Sequence, residues 1–491
     1  MKKVDMKKIV YLPLDERPCN LAYIREVTRD NGAFLLVAPE LHEMGNKKIP
    51  ADYGKIKAFL ERECIDVDYL VIAIDTLLYG GIIPSRLHYI DKAELVQRLD
   101  LLRQLKSLNK DLYVCAFSLV MRCPCYSDSS EEPDYYAQCG REIFLYGQNE
   151  HRLKMGRITR DEYEAERQRL GSCEEFIEDY TSRRAKNLEC LTEVIRMLGD
   201  TIDDFTILQD DSNECGYTAM DRECVLGMAR ELGVKVDVYP GADEGGLVMV
   251  SRVATYIEKK SPKICPVFPR DGAADVTPIY EDRAIRKTLS AQIKSAGATE
   301  CQNEDEADIL LYCNLNDDRT YDVYLDYIVQ SDESYHSSFA DRIKKSLEQG
   351  KGVAIADVAY CNAADLTFVE ELSKKIDLLD LWGYAGWNTA SNTLGTVMCQ
   401  SVLRYLYGDT ATHRRFTALR IFDDAVYSAD VRSDMLSSGD LSCETIVDKI
   451  NDRARVKFSG ISAKYTAVDC YLPWNRLFEI GLNVKEKEYE A

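Results

Sequence analysis

The chain has 491 residues, 46% apolar and 30% charged, ordinary for a globular protein with one large domain and a smaller one. Lys and Arg number 62 against 83 Asp and Glu, a formal charge of −21. So acidic a chain disfavours nonspecific binding to nucleic acid or anionic lipid, and no long basic run offsets it.

The opening MKKVDMKKIVYLPLDERPCN lacks the long apolar core of a signal peptide, and no apolar run nears the roughly 18 residues of a membrane span. Neither secretion by that route nor a membrane location is expected. The 17 cysteines are odd in number, and many fall in strand-like runs, such as Cys115 in LYVCAFSL and Cys313 in ILLYCN. Buried free thiols in a reducing, cytoplasmic compartment are expected. Cys123 and Cys125 form a CxC pair that lacks the further ligands of a zinc site and reads as two ordinary thiols. Five His argue against a histidine-rich metal centre.

Short apolar runs alternate with amphipathic ones. Strands are expected at 8–14, 33–39, 69–75, 112–119, 205–211, 235–241, 308–314, 352–358 and 378–384. Most are rich in Val, Ile and Leu without alternation, which suits strands buried on both faces of a parallel sheet. Helical spacing is read at 92–110, 218–234 and 366–376. Residues 160–200 read as two helices broken near Gly171, with Ser172 and Glu175 as a capping box. The expected fold is α/β: a (β/α)8-barrel-like main domain over 1–405 and a smaller helical and mixed C-terminal extension over 406–491. An open doubly wound parallel sheet is the alternative. Nine strands are one more than a barrel needs, and 33–39 is taken as the added one. G-x-G-x-x-G after the first strand, G-x-x-x-x-G-K-[ST] and G-x-S-x-G are all absent.

Polar residues collect at the strand ends. They are Asp15, Glu16 and Arg17; Asp75 and Arg86; Ser118 and Arg122; Gln209, Asp210 and Asp211; Asp243 and Glu244; Asn362; and Tyr384, Trp387, Asn388 and Asn392. In a parallel fold these ends share one side, so one pocket is expected. The adjacent pair Asp210–Asp211 is the sharpest feature, one acid reaching a reacting atom while its neighbour orients a group or tunes its pKa. A cap or turn role is the structural alternative for each. Glu244, flanked by glycines in GADEGG, is a second acid/base candidate. Asp15, Asp75, Asp210 and Asp243 could instead hold Mg²⁺ or Mn²⁺. Arg17, Arg86 and Arg122 suit a carboxylate or phosphate on a substrate, although internal Arg–Asp pairs are the default in so acidic a chain.

The motifs YLPLDERPCN, YGGIIPSR, QDDSNECGY, YPGADE and GWNTASNTLGT together resemble a bacterial family of about 500 residues classed as a domain of unknown function, over nearly the whole chain. The adjacent acids are also similar to the Asp–Asp pair of N-acetylglucosaminidases of the O-GlcNAcase-like kind. That resemblance implies that Asp210 orients the substrate acetamido group and Asp211 is the general acid/base.

The leading expectation is a hydrolase acting on a small glycoside or amino-sugar derivative. Asp210, Asp211 and Glu244 would be its catalytic acids. Tyr384 and Trp387 would stack on the sugar, Asn362, Asn388 and Asn392 would bind hydroxyls, and the arginines would position any anionic group. No organic cofactor is expected, and a small carbohydrate-like molecule is the expected partner. The alternatives are a divalent-metal hydrolase or transferase on a phosphorylated or carboxylated small molecule, and a non-catalytic sugar- or metabolite-binding protein. Nothing in the chain speaks to its oligomeric state.

Overall fold

The computed structural model describes residues 6–170, 173–324 and 333–488. Two compact units emerge. The first is Met1–Glu16, Ala33–Gly246 and Tyr280–Asp282, and the second is Arg17–Gly32, Leu247–Ile279 and Arg283–Ala491. The division expected at 405/406 falls inside the second unit, within the helix Ala390–Tyr407.

In the first unit, β1 (Lys7–Leu12), β2 (Phe34–Val37), β3 (Tyr69–Ala73), β4 (Tyr113–Val120), β5 (Asp204–Gln209) and β6 (Asp237–Pro240) form a parallel sheet. Its order is β2-β1-β3-β4-β5-β6. The unbroken apolar runs have the expected cause: Leu70, Val71, Ile72 and Ala73 of β3 are all fully buried, so both faces of the strand are covered. The helix Lys92–Leu108 buries Leu95, Leu99, Leu102 and Leu105, one stripe at helical spacing. These leucines share a core with Leu191, Val194 and Ile195 of the helix Glu174–Arg196. The helix Arg160–Arg169 opens on a capping box between Thr159 and Glu162. Gly171 and Ser172, the expected break and cap, lie outside the described residues.

In the second unit, β7 (Lys263–Val267), β8 (Thr299–Glu300) and β9 (Ile309–Asn314) come first. A two-residue pair, β10 (Tyr321–Asp322) and β12 (Tyr360–Cys361), runs parallel beside the chain's return to β11 (Gly352–Asp357) and β13 (Gly383–Ala385). The main sheet has the order β13-β11-β9-β7-β8, again all parallel. An antiparallel hairpin, β14 (Tyr465–Tyr471) and β15 (Gly481–Glu486), closes the chain. The C-terminal region is helical before it, through Ala411–Arg420, a π-helical stretch Ile421–Val431, Arg432–Ser438 and Cys443–Lys457. Within it the buried Arg420 pairs with Asp423 and Asp424, and Tyr23 donates to Asp423 Oδ2 at 2.7 Å.

The chain is therefore an α/β protein of parallel six- and five-stranded sheets with a C-terminal helical region. Two expectations are corrected. The strand expected over 378–384 shrinks to Gly383–Ala385, because the Asp377 side chain accepts from Leu379 N and turns the chain at Leu378–Asp380. The cysteines are not all free: Cys139 and Cys173 form a disulfide, leaving 15 free thiols among the described residues. Among the described residues no helix is long and apolar enough to cross a membrane.

The disulfide joins cysteines 34 residues apart. In the chain-entropy model a loop of that size is worth about 3–4 kcal/mol. Cys139→Ser is expected to lower the urea midpoint of the transition in which the helices Tyr136–Lys154 and Glu174–Arg196 unfold. A reducing agent should reproduce the shift in the wild type and add nothing in the variant.

Candidate functional site

In the first unit the carboxyl ends of β1, β3, β4 and β5 lie side by side, because the strands pair in parallel. Thr76 Oγ1 reaches back to the carbonyls of Pro13 and Leu14, both at 2.7 Å, and ties the end of β3 to that of β1. Asp75 follows β3 directly in the first turn of a short helix and is 3% exposed. Its Oδ2 accepts from Ser118 Oγ at 2.8 Å and from Leu119 N at 3.0 Å, both on β4.

Two arginines then collect four carboxylates. Arg86, 2% exposed, donates to Asp210 Oδ2 at 2.6 Å and to Glu132 Oε1 at 3.2 Å. Arg122 donates to the same Glu132 Oε1 at 2.7 Å, to Asp211 Oδ2 at 3.1 Å and to Glu131 Oε2 at 3.1 Å. The adjacent aspartates thus point to different arginines. A backbone bend makes this possible: Asp211 has φ 39°, the left-handed region. Glu132 is fully buried, and its Oε2 has no hydrogen-bond partner among the described residues.

Burial is the largest influence on these acids. It pushes Asp211 up to about 7, against the opposing pull of Arg122 and with reinforcement from Asp210. It pushes Asp75 up to about 6, against its Ser118 and Leu119 donors. After β6, burial takes Glu244 to about 8, with the charges of Asp243 and Glu281 acting in the same direction. The Glu244 carboxylate folds back over the turn, Oε2 accepting from Ala242 N at 2.9 Å. A Cβ at Gly241 would sit 1.8 Å from its Oε1, and φ there is 148°, so only glycine fits. Nearby, Asp282 accepts from Gln209 at 3.0 Å and pairs with Arg222.

The remaining expected residues belong to the second unit. Tyr384 is fully buried and donates to Asp357 Oδ2 at 3.2 Å. Asp357, raised by burial to about 7, also accepts from Asn314 at 2.8 Å and from Asp365 N at 2.8 Å. Trp387 is 6% exposed and meets the Phe478 ring edge-on at 6.1 Å. Asn362 and Asn388 both have positive φ, 68° and 65°, and Asn362 N donates to Asn388 O at 3.0 Å. Asn392 donates to Thr389 Oγ1 at 3.0 Å in the first turn of its helix. Arg17 lies 3.8 Å from Glu479 and 5.0 Å from the Trp474 ring.

Of the expected set, direct bonds in the first unit join Arg86 to Asp210, Arg122 to Asp211 and Ser118 to Asp75, with Asp75 close enough for Asp210 to perturb it, and in the second unit Asn362 to Asn388. Asp15, buried, Glu16, which accepts from Lys47 N, and Asp243 belong to the same unit. Arg86 and Arg122 carry internal carboxylates, the default for an acidic chain. Glu131 and Glu132 were not singled out. Their signal was the second adjacent acid pair, in SDSSEEPDYY, which reads as a solvated loop. Glu281 was missed for lack of any strand before it. A cleft of about 520 Å³ in the first unit is lined by Tyr53, Glu94, Arg98 and neighbours, and contains none of the strand-end acids. Among the described residues no three His, Cys, Asp or Glu side chains are grouped to hold a metal.

The chain belongs to the family described as Protein of unknown function (DUF4127), whose profile matches residues 9–483. No curated protein and no solved structure matches it.

Folded Asp211 keeps its proton up to about pH 7, whereas an unfolded aspartate loses it near pH 4. Between those values the folded chain binds more protons, so this contribution to stability falls as pH rises; Asp75 and Glu244 act with the same sign. Asp211→Asn is expected to narrow the stability difference between about pH 5 and pH 8 by on the order of 1–2 kcal/mol, read from urea unfolding at the two pH values.

Proposed function

We propose that this chain is a hydrolase acting on a small glycoside or amino-sugar derivative by carboxylate acid/base chemistry in the first unit. The observation that carries the reading is Asp211. It combines a pKa near 7 with a side chain still 19% exposed, so it can exchange a proton with a bound molecule at neutral pH. Its neighbour Asp210 is ion-paired to Arg86 and 11% exposed, suited to orienting an acetamido or hydroxyl group. Glu244, raised to about 8, also keeps its proton at neutral pH, but it is 1% exposed and folded against Ala242 N, so it would take part only if substrate binding opened that turn. Tyr126 is 42% exposed, feels the charges of Arg122 and Asp211, and offers a ring to a sugar face.

We read the two main sheets as doubly wound rather than as one closed barrel. In each, the second strand lies outside the first and the third lies on its other side. Such folds bind ligands at the carboxyl ends where the strand order reverses, between β1 and β3 in the first sheet, and Asp15 and Asp75 follow those two strands. The 15 free thiols support a reducing, cytoplasmic setting, and the Cys139–Cys173 bond runs against it.

A chromogenic panel of α- and β-glycosides and N-acetylhexosaminides, run with and without EDTA, tests the reading. Turnover is expected on at least one amino-sugar substrate, falling above about pH 7 as Asp211 loses its proton. Asp211→Asn should lower kcat by about 10²–10⁴-fold with folding intact by circular dichroism. Wild-type rates in that variant would remove Asp211 from the chemistry. Loss with EDTA and recovery with Mg²⁺ or Mn²⁺ would favour the divalent-metal alternative. Saturable binding without turnover would favour a binding protein.

A further inference from the structure

Fifteen cysteines are free thiols among the described residues, and the second sheet sets two of them side by side. β8 runs parallel to β7, with Lys263 opposite Thr299 and Ile264 opposite Glu300. One residue further along, the same register sets Cys265 opposite Cys301. The backbone keeps to it: Thr299 N donates to Pro262 O at 2.9 Å, and Cys301 N donates to Ile264 O at 2.9 Å. Opposite residues on neighbouring strands lie about 4.8 Å apart and point to the same face. That spacing is inside the roughly 4.4–6.8 Å between Cα atoms that a disulfide spans. The two thiols are close enough for each to act on the other's proton.

Access to the pair is unequal. Cys265 is 3% exposed, whereas Cys301 is half-buried and follows Thr299 and Glu300, both exposed. β8 is the outermost strand of its sheet, so solvent meets Cys301 first. Burial pushes the Cys265 thiol up to about 11 and raises Cys301 as well. The charges around them are of both signs, Glu304 and Arg342 at Cys265 and Lys263, Glu306 and Asp308 at Cys301. Thiolate is therefore scarce at neutral pH, and exchange needs an excess of oxidant or a mildly alkaline solution.

We propose that Cys301 and Cys265 form a reversible oxidation site, which takes a low-molecular-weight disulfide as oxidant and closes into a protein disulfide across the edge of the second sheet. The Cys301 thiolate attacks one sulfur of the oxidant; the oxidant's S–S bond breaks, a mixed disulfide forms on Cys301 and one small thiol leaves. The Cys265 thiolate then attacks Cys301 Sγ; the mixed disulfide breaks, the protein disulfide forms and the second small thiol leaves. Two electrons pass from the cysteines to the oxidant, and the two protons they lose end on the released thiols. The strand spacing of about 4.8 Å exceeds the roughly 3.5–4.5 Å between Cβ atoms of a relaxed disulfide, so closure draws the end of β8 inward. A bond held under that tension is more easily reduced than a structural one, which makes the site reversible. The loop it closes carries the helix Ile285–Ser295 and the edge strand. The site is independent of the acids of the first unit and of any glycoside turnover.

Oxidised glutathione on the folded full chain tests this, at about 5 mM and about pH 8 for about a day, followed by alkylation, digestion and mass mapping of the peptides. A cross-linked peptide joining Cys265 to Cys301 is expected, and about 5 mM reduced glutathione should reopen it. The exposed Cys125 and Cys224 stand apart from this pair and should carry glutathione without cross-linking to it. In Cys265→Ser the second step is blocked, so Cys301 should hold at least about tenfold more glutathione than in the wild type. Cys301→Ser should leave Cys265 unmodified. Where a serine variant fails to fold, alanine replaces it, and the wild-type map decides the matter by itself. The idea is overturned if Cys265 and Cys301 are both still thiols after the incubation. It is equally overturned if the wild type holds as much glutathione on Cys301 as the Cys265 variant does, or if reduced glutathione leaves the bond closed.

Discussion

The carboxyl end of the first sheet depends on one lattice, in which Arg86 and Arg122 share a single oxygen of Glu132. From that shared oxygen the arginines diverge, one to Asp210 and the other to Asp211 and Glu131. The lattice pins the ends of β4 and β5 and the loop carrying Glu131 and Glu132 to the helix that carries Arg86. It also fixes a proton balance. Two cations facing four ionised carboxylates would leave two excess negative charges in a poorly solvated place. Retaining a proton on one acid relieves that excess, and Asp211 is the member of the lattice whose pKa is pushed up to about 7. Removing one arginine would leave buried carboxylates uncompensated, a larger penalty than the pair's net contribution to stability.

Much of this could be read from residue order, and the reason is geometric. In parallel sheets every strand delivers its following residues to the same edge, so Asp75, Arg122 and Asp210 were legible as neighbours from strand ends alone. Glu131 and Glu132 were not, because the loop that brings them back carries them eleven and twelve residues beyond the end of β4. No local periodicity encodes the return of a loop. The setting of Tyr384 was hidden for a related reason. Its position after an apolar run fits a site, but its hydroxyl has a buried partner in Asp357, which only the packed structure reveals.

The fold was legible to the same depth. Strands such as β3 and β9 announce themselves by uninterrupted apolar runs, whereas β7, absent from the expected strands, has Pro266 within KICPV. The structure tolerates that proline because β8 pairs only with Lys263 and Ile264 of β7. At Pro266 the strand has β9 on one side alone, so no ladder is broken by a missing N–H. The partition into two sheets was hidden for a different reason. Both sheets are wound in the same sequence of inside, outside and opposite side, so their strands and helices alternate as one continuous repeat. Alternation of this kind reports the local unit and is silent about where one sheet stops and the next begins.

The raised acids show how burial separates structural from chemical roles. Burial is the largest influence on Asp211 and on Asp357, and both are pushed to about 7. Asp357 is fully sealed, and Asn314, Tyr384 and the Asp365 backbone all donate to it. A proton taken up there serves only the internal network. Asp211 reaches the same value with part of its side chain open to solvent. A formal charge of −21 counts both as ionised, so it overstates the negative charge that the folded chain carries at neutral pH. The distinction that matters is access: equal pKa values mean a stored proton in one unit and an exchangeable one in the other.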